Sequence, residues 1–477
     1  MYHGFTVENG AIGNIDNYDK IMEGTDKKID LDGNYVLPGF IDSHTHLLET
    51  GLKMDRVDLS KCETFEEVKY YLGKKIEETE EDGWVIGVDY DESKWKDTDA
   101  PDKDDLDELS EKHPIIIKRI CGHSAVANSL ALDEIGMDSE EIDYESGHIK
   151  EEPVWELDEI ISISKEEKKE AIKRGIEKAH SLGITCVHEV VGKEAWEAYK
   201  ELDEEDDLDL RFRCYIYYDD VEEDGPVQKS DFLSLNGLKV FADGSIGART
   251  AALEEEYADD PGNKGILIHD QDEIEEIIKN GEEKGFQIMI HAIGDRSIST
   301  VINAFEESST KASELRHRIE HAEMLWEENI RRIRDLNLIL SAQPNFAYKW
   351  SKTGGMNDTR LGKKRLQNCN PYWDIQRSLV KMTFGSDCMP MDPLFGIYSA
   401  VNHPILEQRI STYNALQSYI TNGAYAGKDE NKFGKFKEGM SADFVVLSAN
   451  PLESDSIKDI EVVMTVVDGE IVYDNRN

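Results

Sequence analysis

Short apolar runs alternate with charged, helix-like stretches through the middle of the chain. This alternation is typical of a parallel α/β sheet whose strands are joined by crossover helices. The predicted strands are Gly183–His188, Arg211–Tyr217, Leu238–Ala242, Phe286–His291, Arg316–His321, Leu338–Ala342 and Met382–Gly385. The predicted intervening helices include Lys165–Ser181, Asp272–Lys284 and Trp326–Asp335.

The spacing of these elements favours a (β/α)₈ barrel, since such a barrel allots about 30 residues to each strand and helix unit. His291 and His321 are 30 residues apart, and His321 and Asp387 are 66 apart, which corresponds to two units. We place the barrel at 38–430. The segment 52–164 is too long for one unit, so we expect an inserted subdomain there, covering the barrel mouth.

Both ends of the chain have a different residue pattern, in which apolar and polar positions alternate between turn residues, as in short antiparallel strands. Ala442–Leu447 and Val462–Val467 are strand candidates, and Asp468-Gly469 is a hairpin turn before Glu470. Neither end has enough strands for a stable sheet of its own. We therefore expect 1–37 and 431–477 to form one composite β-domain, a small β-sandwich.

Composition narrows the classes of protein that fit. The 477 residues are 39% hydrophobic without a membrane-spanning run, and the amino terminus resembles no signal peptide, so we expect a cytoplasmic protein. The six cysteines lie far apart, which favours reduced thiols. The formal charge of −46 disfavours nucleic acid and anionic membranes as partners. It suits a halophilic source, although Lys outnumbers Arg.

Histidines and an aspartate lie where predicted strands end. His44 and His46 are two apart, so both imidazoles can face one metal ion. His291, His321 and Asp387 each follow an apolar run. Any one of them is equally well interpreted as a hydrogen-bonded loop residue. In a barrel, however, the strand ends converge on one mouth, so five such residues together predict a metal site.

Several segments resemble the amidohydrolase superfamily, and within it the YtcJ-like (amidohydrolase 3) branch. The matching segments extend over nearly the whole chain: 38–46 (PGFIDSHTH), 122–129, 239–245, 291–295, 316–322, 385–387 and 439–447. The last of these is similar to the family's closing strand, which carries an Ala-Asp pair. The combination is far more specific than any single motif.

The resemblance implies two divalent metal ions, and histidine and oxygen ligands fit zinc first, with manganese or iron as alternatives. The implied ligands are His44, His46 and Asp387 for the more buried metal, His291 and His321 for the second, and Lys239, carboxylated at Nζ, as the bridge between them. A salt-bridged lysine is the alternative for Lys239, since some family members use another bridge or a single metal. His317 competes with His321, and we prefer His321 because His317 lies deeper.

Other residues are predicted to contact the substrate. The resemblance makes His123 and Asn128 candidates, although their segment could equally cap a helix. Asp243, Arg249, Asp295 and Gln343 follow strand ends and could line the pocket, and His188 is expected to line the mouth without being a ligand.

These expectations define a mechanism and its alternatives. Two cations sharing a water would supply a metal-bound hydroxide near neutral pH, and Asp387 would carry the proton to the leaving nitrogen. The reaction would be hydrolysis of a C–N bond in an amide, an N-acyl or N-formyl compound, or a cyclic amide. A deaminase with one metal and a neutral Lys239 is the nearest alternative, and a non-catalytic binding protein is another. The expected partner is a small-molecule substrate, with a homo-oligomer possible.

Overall fold

The structure is a computed structural model that describes residues 4–15, 21, 27–92, 95, 101–119, 124–139, 141–150, 153–154, 163–454 and 456–476. The chain divides into two compact units. The first combines Met1–Leu47 with Lys173–Asn477, and the second is Leu48–Ile172. Each unit has its own sheets and its own buried core.

The larger unit contains a nearly closed barrel of eight parallel strands. In spatial order the strands are Phe40–Thr45, Ile184–Val191, Arg211–Tyr217, Leu233–Phe241, Gln287–Ala292, Arg318–His321, Ile339–Ala342 and Met382–Phe384. A short strand, Val227–Gln228, pairs antiparallel with Leu233–Phe241. The predicted (β/α)₈ barrel is therefore confirmed, and each predicted strand overlaps an observed one.

Amphipathic helices follow the barrel strands. Gln271–Lys284 shows how the sequence specifies them: Asp270 and Glu273 form a capping box at its start, and Gly285, with φ 82°, ends it. The helices assigned to the barrel unit are Lys193–Glu204, Gln271–Lys284, Asp295–Ser308, Ala312–Leu315, Glu327–Asp335, Pro344–Trp350, Met356–Leu366, Tyr372–Arg377, Pro393–Val401, Thr412–Tyr419 and Thr421–Ala426. Short 3₁₀ turns occur at Tyr218–Asp220, Leu406–Gln408 and Ile457–Asp459.

The barrel closes between its first and last strands by hydrogen bonds at their carboxyl ends. The Asp387 amide donates to the His44 carbonyl at 2.9 Å, and the Ser386 amide donates to Asp42 Oδ1 at 2.8 Å. Gly385 lies so close to His44 that a Cβ there would come within 2.5 Å of the His44 nitrogen. This closure brings residues 343 positions apart into contact at the barrel mouth.

Strands from both ends of the chain form a four-stranded antiparallel sheet. Its order is Glu470–Asp474, Val462–Val467, Phe444–Leu447 and Tyr35–Pro38. Phe5–Glu8 pairs with Ala11–Ile15, and a bridge joins Ala11 to Ser441. The predicted Asp468-Gly469 turn is present, with φ of 51° and 82°. The exact boundaries of the composite β-domain stay a prediction.

The unit Leu48–Ile172 is an α/β structure with a six-stranded mixed sheet. Its strands, in spatial order, are Val57–Asp58, Val85–Tyr90, Ile115–Arg119, Ser124–Ala127, His148–Lys150 and Ile142–Asp143. The helices Phe65–Glu78, Lys103–Asp107 and Ser129–Ile135 lie within it, while Leu47–Asp55 and Lys165–Ser181 contain the two unit boundaries. Across the described parts of the chain, no helix has the length and apolarity needed to cross a bilayer.

Candidate metal centre

Three of the predicted ligands meet at the carboxyl end of the barrel. His44 and His46 come from the end of Phe40–Thr45, and Asp387 follows Met382–Phe384. Asp387 Oδ1 lies 3.1 Å from His46 Nε2 and 3.8 Å from His44 Nε2. One ligand atom from each of the three residues lies within 4.8 Å of the others. That spacing is compatible with a single cation bound by all three.

His291, His321 and Lys239 surround the same place. The rings of His291 and His321 have centroids 4.4 Å apart, and the His321 and His44 centroids are 4.9 Å apart. Lys239 Nζ lies 3.4 Å from His44 Nε2, with the side chain only 2% exposed. The structure thus brings together all six residues that the sequence predicted as ligands.

Unusual backbone conformations aim two of these side chains. His321 and Asp387 have φ of 66° and 50°, and the residues after them, Ala322 and Cys388, also have positive φ. Left-handed backbone is uncommon for residues other than glycine and costs of order 1–3 kcal/mol. At His321 it ends the strand and turns the ring away from the face that regular alternation would give it.

Hydrogen bonds fix which ring nitrogen of two histidines is free. Glu320 Oε2 lies 2.5 Å from His44 Nδ1, and Gln343 Oε1 lies 2.8 Å from His321 Nδ1. Each oxygen accepts the Nδ1 proton, so Nε2 of each ring keeps its lone pair. Acceptors of this kind orient metal-binding histidines.

The surroundings keep these groups in the protonation states that ligands need. Burial lowers the pKa of His44 to about 4 and that of His321 to about 3, so both rings are neutral at pH 7. Burial also lowers the pKa of Lys239 to about 8. Burial alone would raise the pKa of Asp387, but the His46 hydrogen bond and the nearby histidines hold it below its usual range.

Neutral imidazoles and an ionised carboxylate are the forms that bind a divalent cation, because no proton must first be displaced. The donor set of His44, His46 and Asp387 mixes nitrogen and oxygen at short range. It therefore fits a divalent metal ion.

Three of the predicted substrate-binding residues are engaged within the protein. Asp243 is buried and accepts from the amides of Ile293, Gly294 and Ala252. Asp295 accepts from the Glu254 amide and from Trp326 Nε1. Arg249 pairs with Asp259 at 2.9 Å. Their contact with substrate stays a prediction. Substrate contact by Gln343 also stays a prediction, and its side chain bonds to His321.

The remaining predicted residues lie in different surroundings. Asn128 is buried and accepts from the Ala131 amide as the N-cap of Ser129–Ile135, which is the capping role considered as its alternative. His123 lies outside the described residues. His188 is only 1% exposed and its Nδ1 accepts from Arg318 at 2.7 Å, and its place as mouth lining stays a prediction. His317 faces Glu282 at 3.1 Å, away from the cluster.

Two charged residues beneath the candidate ligands, Arg318 and Glu320, were not predicted from the sequence. Both are fully buried inside the barrel, and Arg318 Nε donates to Glu320 Oε1 at 2.9 Å. A signal was available: two charged residues alternating with Ile319 in a buried strand must point to the same face. Phe241 was also missed, although its ring centroid lies 5.3 Å from that of His291.

An eight-stranded parallel barrel with these donors at its mouth is the arrangement of a barrel enzyme with a candidate metal centre. The chain matches the amidohydrolase family over residues 27–473 and belongs to it. The resemblance seen in the motifs is therefore confirmed, and the chain is a metal-dependent hydrolase of the amidohydrolase superfamily.

Similar proteins span nearly the same length. A protein of Bacillus subtilis (strain 168) that carries the name "Putative amidohydrolase YtcJ" is 29% identical, over 98% of this chain and 95% of its own. N-substituted formamide deformylase of Arthrobacter pascens is 23% identical, over 94% and 90%. An uncharacterized metal-dependent hydrolase from Pyrococcus furiosus has a structure with a TM-score of 0.85 and 30% identity, covering 94% of this chain and 95% of that one.

Proposed function

We propose that this protein hydrolyses a C–N bond in an amide, an N-acyl or N-formyl compound, or a cyclic amide. The observation that carries the proposal is the meeting of His44, His46 and Asp387 within 4.8 Å at the barrel mouth. Similarity to N-substituted formamide deformylase supports the N-formyl class in particular.

The proposed cofactor is a pair of divalent cations, zinc first, with manganese or iron as alternatives. His44, His46 and Asp387 would hold one ion, and His291 and His321 the other. Lys239 would bridge them after its amine takes up CO₂, because an ammonium group cannot bind a cation. Its burial and its 3.4 Å approach to His44 Nε2 support that place for it.

Bound cations would polarise the scissile carbonyl and make water in the site more acidic. Asp387 is the residue placed to move the proton. Its Oδ1 faces His46, so its Oδ2 would accept a proton from the attacking water. As the C–N bond breaks, the same proton passes from Oδ2 to the leaving nitrogen, which gives a carboxylic acid and an amine.

The test is a substrate screen on the protein reconstituted with zinc or manganese, using matched N-formyl, N-acyl and cyclic amides. His44→Ala and Asp387→Asn should abolish turnover, and His44→Ala should also lose bound metal. His269→Ala is the matched control, because His269 is a partly exposed histidine paired with Glu273. Equal turnover in all four proteins would contradict the proposal, because the activity would not depend on the candidate centre. No turnover of any substrate by the wild-type protein would favour a non-catalytic binding protein.

Metal content separates hydrolysis by two ions from the deaminase alternative. Two ions per chain and a Lys239 that is heavier by one CO₂ in native mass spectrometry support the two-metal site. One tightly bound ion with an unmodified Lys239, together with ammonia release from an aminated ring, would support the deaminase.

A further inference from the structure

Glu320 makes a direct contact with a candidate metal ligand from inside the barrel. Its Oε2 lies 2.5 Å from His44 Nδ1, and both side chains are buried. On the far side of the ring, His44 Nε2 faces Lys239 Nζ at 3.4 Å and Asp387 Oδ1 at 3.8 Å. The imidazole is thus held between a carboxylate on one side and the metal centre on the other.

Arg318 holds Glu320 in that position. Its Nε donates to Glu320 Oε1 and its Nη2 donates to Glu320 Oε2, each at 2.9 Å. Such a two-pronged bond fixes the plane of a carboxylate as well as its charge. With both oxygens engaged, Glu320 serves as an acceptor for His44 and is not available as a ligand itself.

The Arg318 guanidinium also donates hydrogen bonds to three other barrel strands. Nη2 donates to the Ser43 carbonyl at 2.6 Å, and Nη1 donates to His188 Nδ1 at 2.7 Å and to the Tyr215 hydroxyl at 3.4 Å. Ser43 immediately precedes His44. One buried cation therefore fixes both the backbone of the His44 strand and, through Glu320, the His44 side chain.

Stability alone is a poor reason for this arrangement. Barrel interiors are usually filled with branched apolar side chains. A buried ion pair is often no more stabilising than apolar residues of similar size. The contact with His44 supplies a functional reason for burying Glu320. A second buried carboxylate–histidine pair, Glu282–His317, has no such reason, because it lies away from the ligand cluster.

We propose that Glu320, held by Arg318, is a positioning residue for His44. It keeps the imidazole proton on Nδ1 and the ring in one orientation, so that Nε2 is presented to the metal. This inference rests on the proposed metal centre of His44, His46 and Asp387. It attributes part of the metal affinity of that centre to Glu320 and Arg318, which bind no metal themselves.

The decisive variant is Glu320→Gln. Arg318 can only donate, so the amide oxygen must face the guanidinium and the amide NH₂ must face His44. Nδ1 then has to accept, which moves the ring proton to Nε2, the nitrogen meant for the metal. Loss of such a supporting acceptor typically lowers metal affinity by about 10- to 100-fold.

The measurement is the zinc dissociation constant of the full chain, obtained by competition with a chromophoric chelator, together with the absorption spectrum of the cobalt-loaded protein. Glu320→Gln should weaken zinc binding by about 10- to 100-fold and change the cobalt spectrum. Arg318→Lys should weaken binding less, since it keeps a charge beside Glu320. Glu282→Gln is the matched control, a buried carboxylate–histidine pair whose loss should lower the melting temperature without changing zinc affinity.

Two results would overturn the inference, and they differ in what else they refute. If wild-type protein binds zinc and Glu320→Gln binds it equally well with the same cobalt spectrum, the positioning role is wrong and the metal centre stands. If wild-type protein takes up no metal, the proposed centre itself fails. Should Glu320→Gln not fold, Arg318→Lys decides by the same two measurements, and unchanged affinity there refutes the role.

Discussion

A buried ion pair ties the barrel to the terminal sheet, and its removal is a quantitative test of the fold. Arg211, from the third barrel strand, bonds through Nε to Asp443 Oδ2 at 2.6 Å and through Nη2 to Asp443 Oδ1 at 3.0 Å. Nη2 also reaches Ser441 and Asp468. The side chains of Arg211 and Asp443 are only 4% and 1% exposed. The pair is thus desolvated on both sides.

Arg211→Met keeps the apolar stem and removes every one of these donors. Breaking a buried pair by deleting one partner costs about 3–5 kcal/mol, because the other charge is left uncompensated. The lower end applies here, since Asp443 keeps the Ser441 hydroxyl and the Asp468 amide. The unit that holds the pair has about 350 residues. An unfolding entropy of about 2.1 cal/mol/K per residue then gives a shift of about 1.4 °C per kcal/mol, so the melting temperature should fall by about 4 °C.

The assay is thermal unfolding at a fixed metal concentration, with Arg211→Met, Asp443→Asn and the double variant. The double variant should be more stable than the sum of the single losses predicts, because no charge is left unpaired. Arg476→Met is the control, since Arg476 pairs with Asp474 at the surface and such pairs contribute little. An Arg211→Met protein that melts like wild type, or single losses that simply add, would refute the argument.

Three further predictions follow from other parts of the molecule. Gln343→Leu should weaken zinc binding by about tenfold because His321 Nδ1 loses its acceptor, whereas a raised KM with unchanged metal content would indicate a substrate contact instead. Burial lowers the pKa of His403 from 6.5 to about 4, so its stabilising contribution is complete above pH 6.5 and is lost as pH falls towards 4. His403→Phe should therefore lose less stability than wild type, by up to about 3 kcal/mol, between those pH values in urea titrations, and parallel losses would contradict this. The charge of −46 predicts a melting temperature that rises from low to molar KCl, and a constant or falling value would argue against salt adaptation.

The barrel could be predicted because local pattern and global position agree there. The run Ile288–Ile290 is buried and lies in a strand, as continuous apolar residues between charged helices require. The helix Lys165–Ser181 has the bounds that its pattern predicted. The internal sheet of Leu48–Ile172 was not predicted, because its strands are short and the segment was recognised only as too long for one barrel unit.

Strand-end position predicted which candidate ligands come together at the barrel mouth, but it was less informative about other polar residues. A carboxylate after a strand can face the mouth or hold the next loop, and sequence does not distinguish the two. Asp243 holds a loop: it accepts from three backbone amides and the Ser297 hydroxyl. The contact of Glu320 with His44 was beyond prediction for another reason, since it joins residues 276 apart that meet only when the barrel closes.

The backbone at His321 and Asp387 shows why side-chain alternation along a strand does not predict the orientation of these candidate ligands. In Arg318–His321, alternation puts Arg318 and Glu320 inside the barrel and groups His321 with His317 and Ile319 on the opposite face. The positive φ of His321 reverses that assignment. Glycine would adopt this backbone at lower cost but offers no ligand. The positive φ of His321, repeated at Asp387, costs backbone energy and places both side chains among the candidate ligands at the barrel mouth.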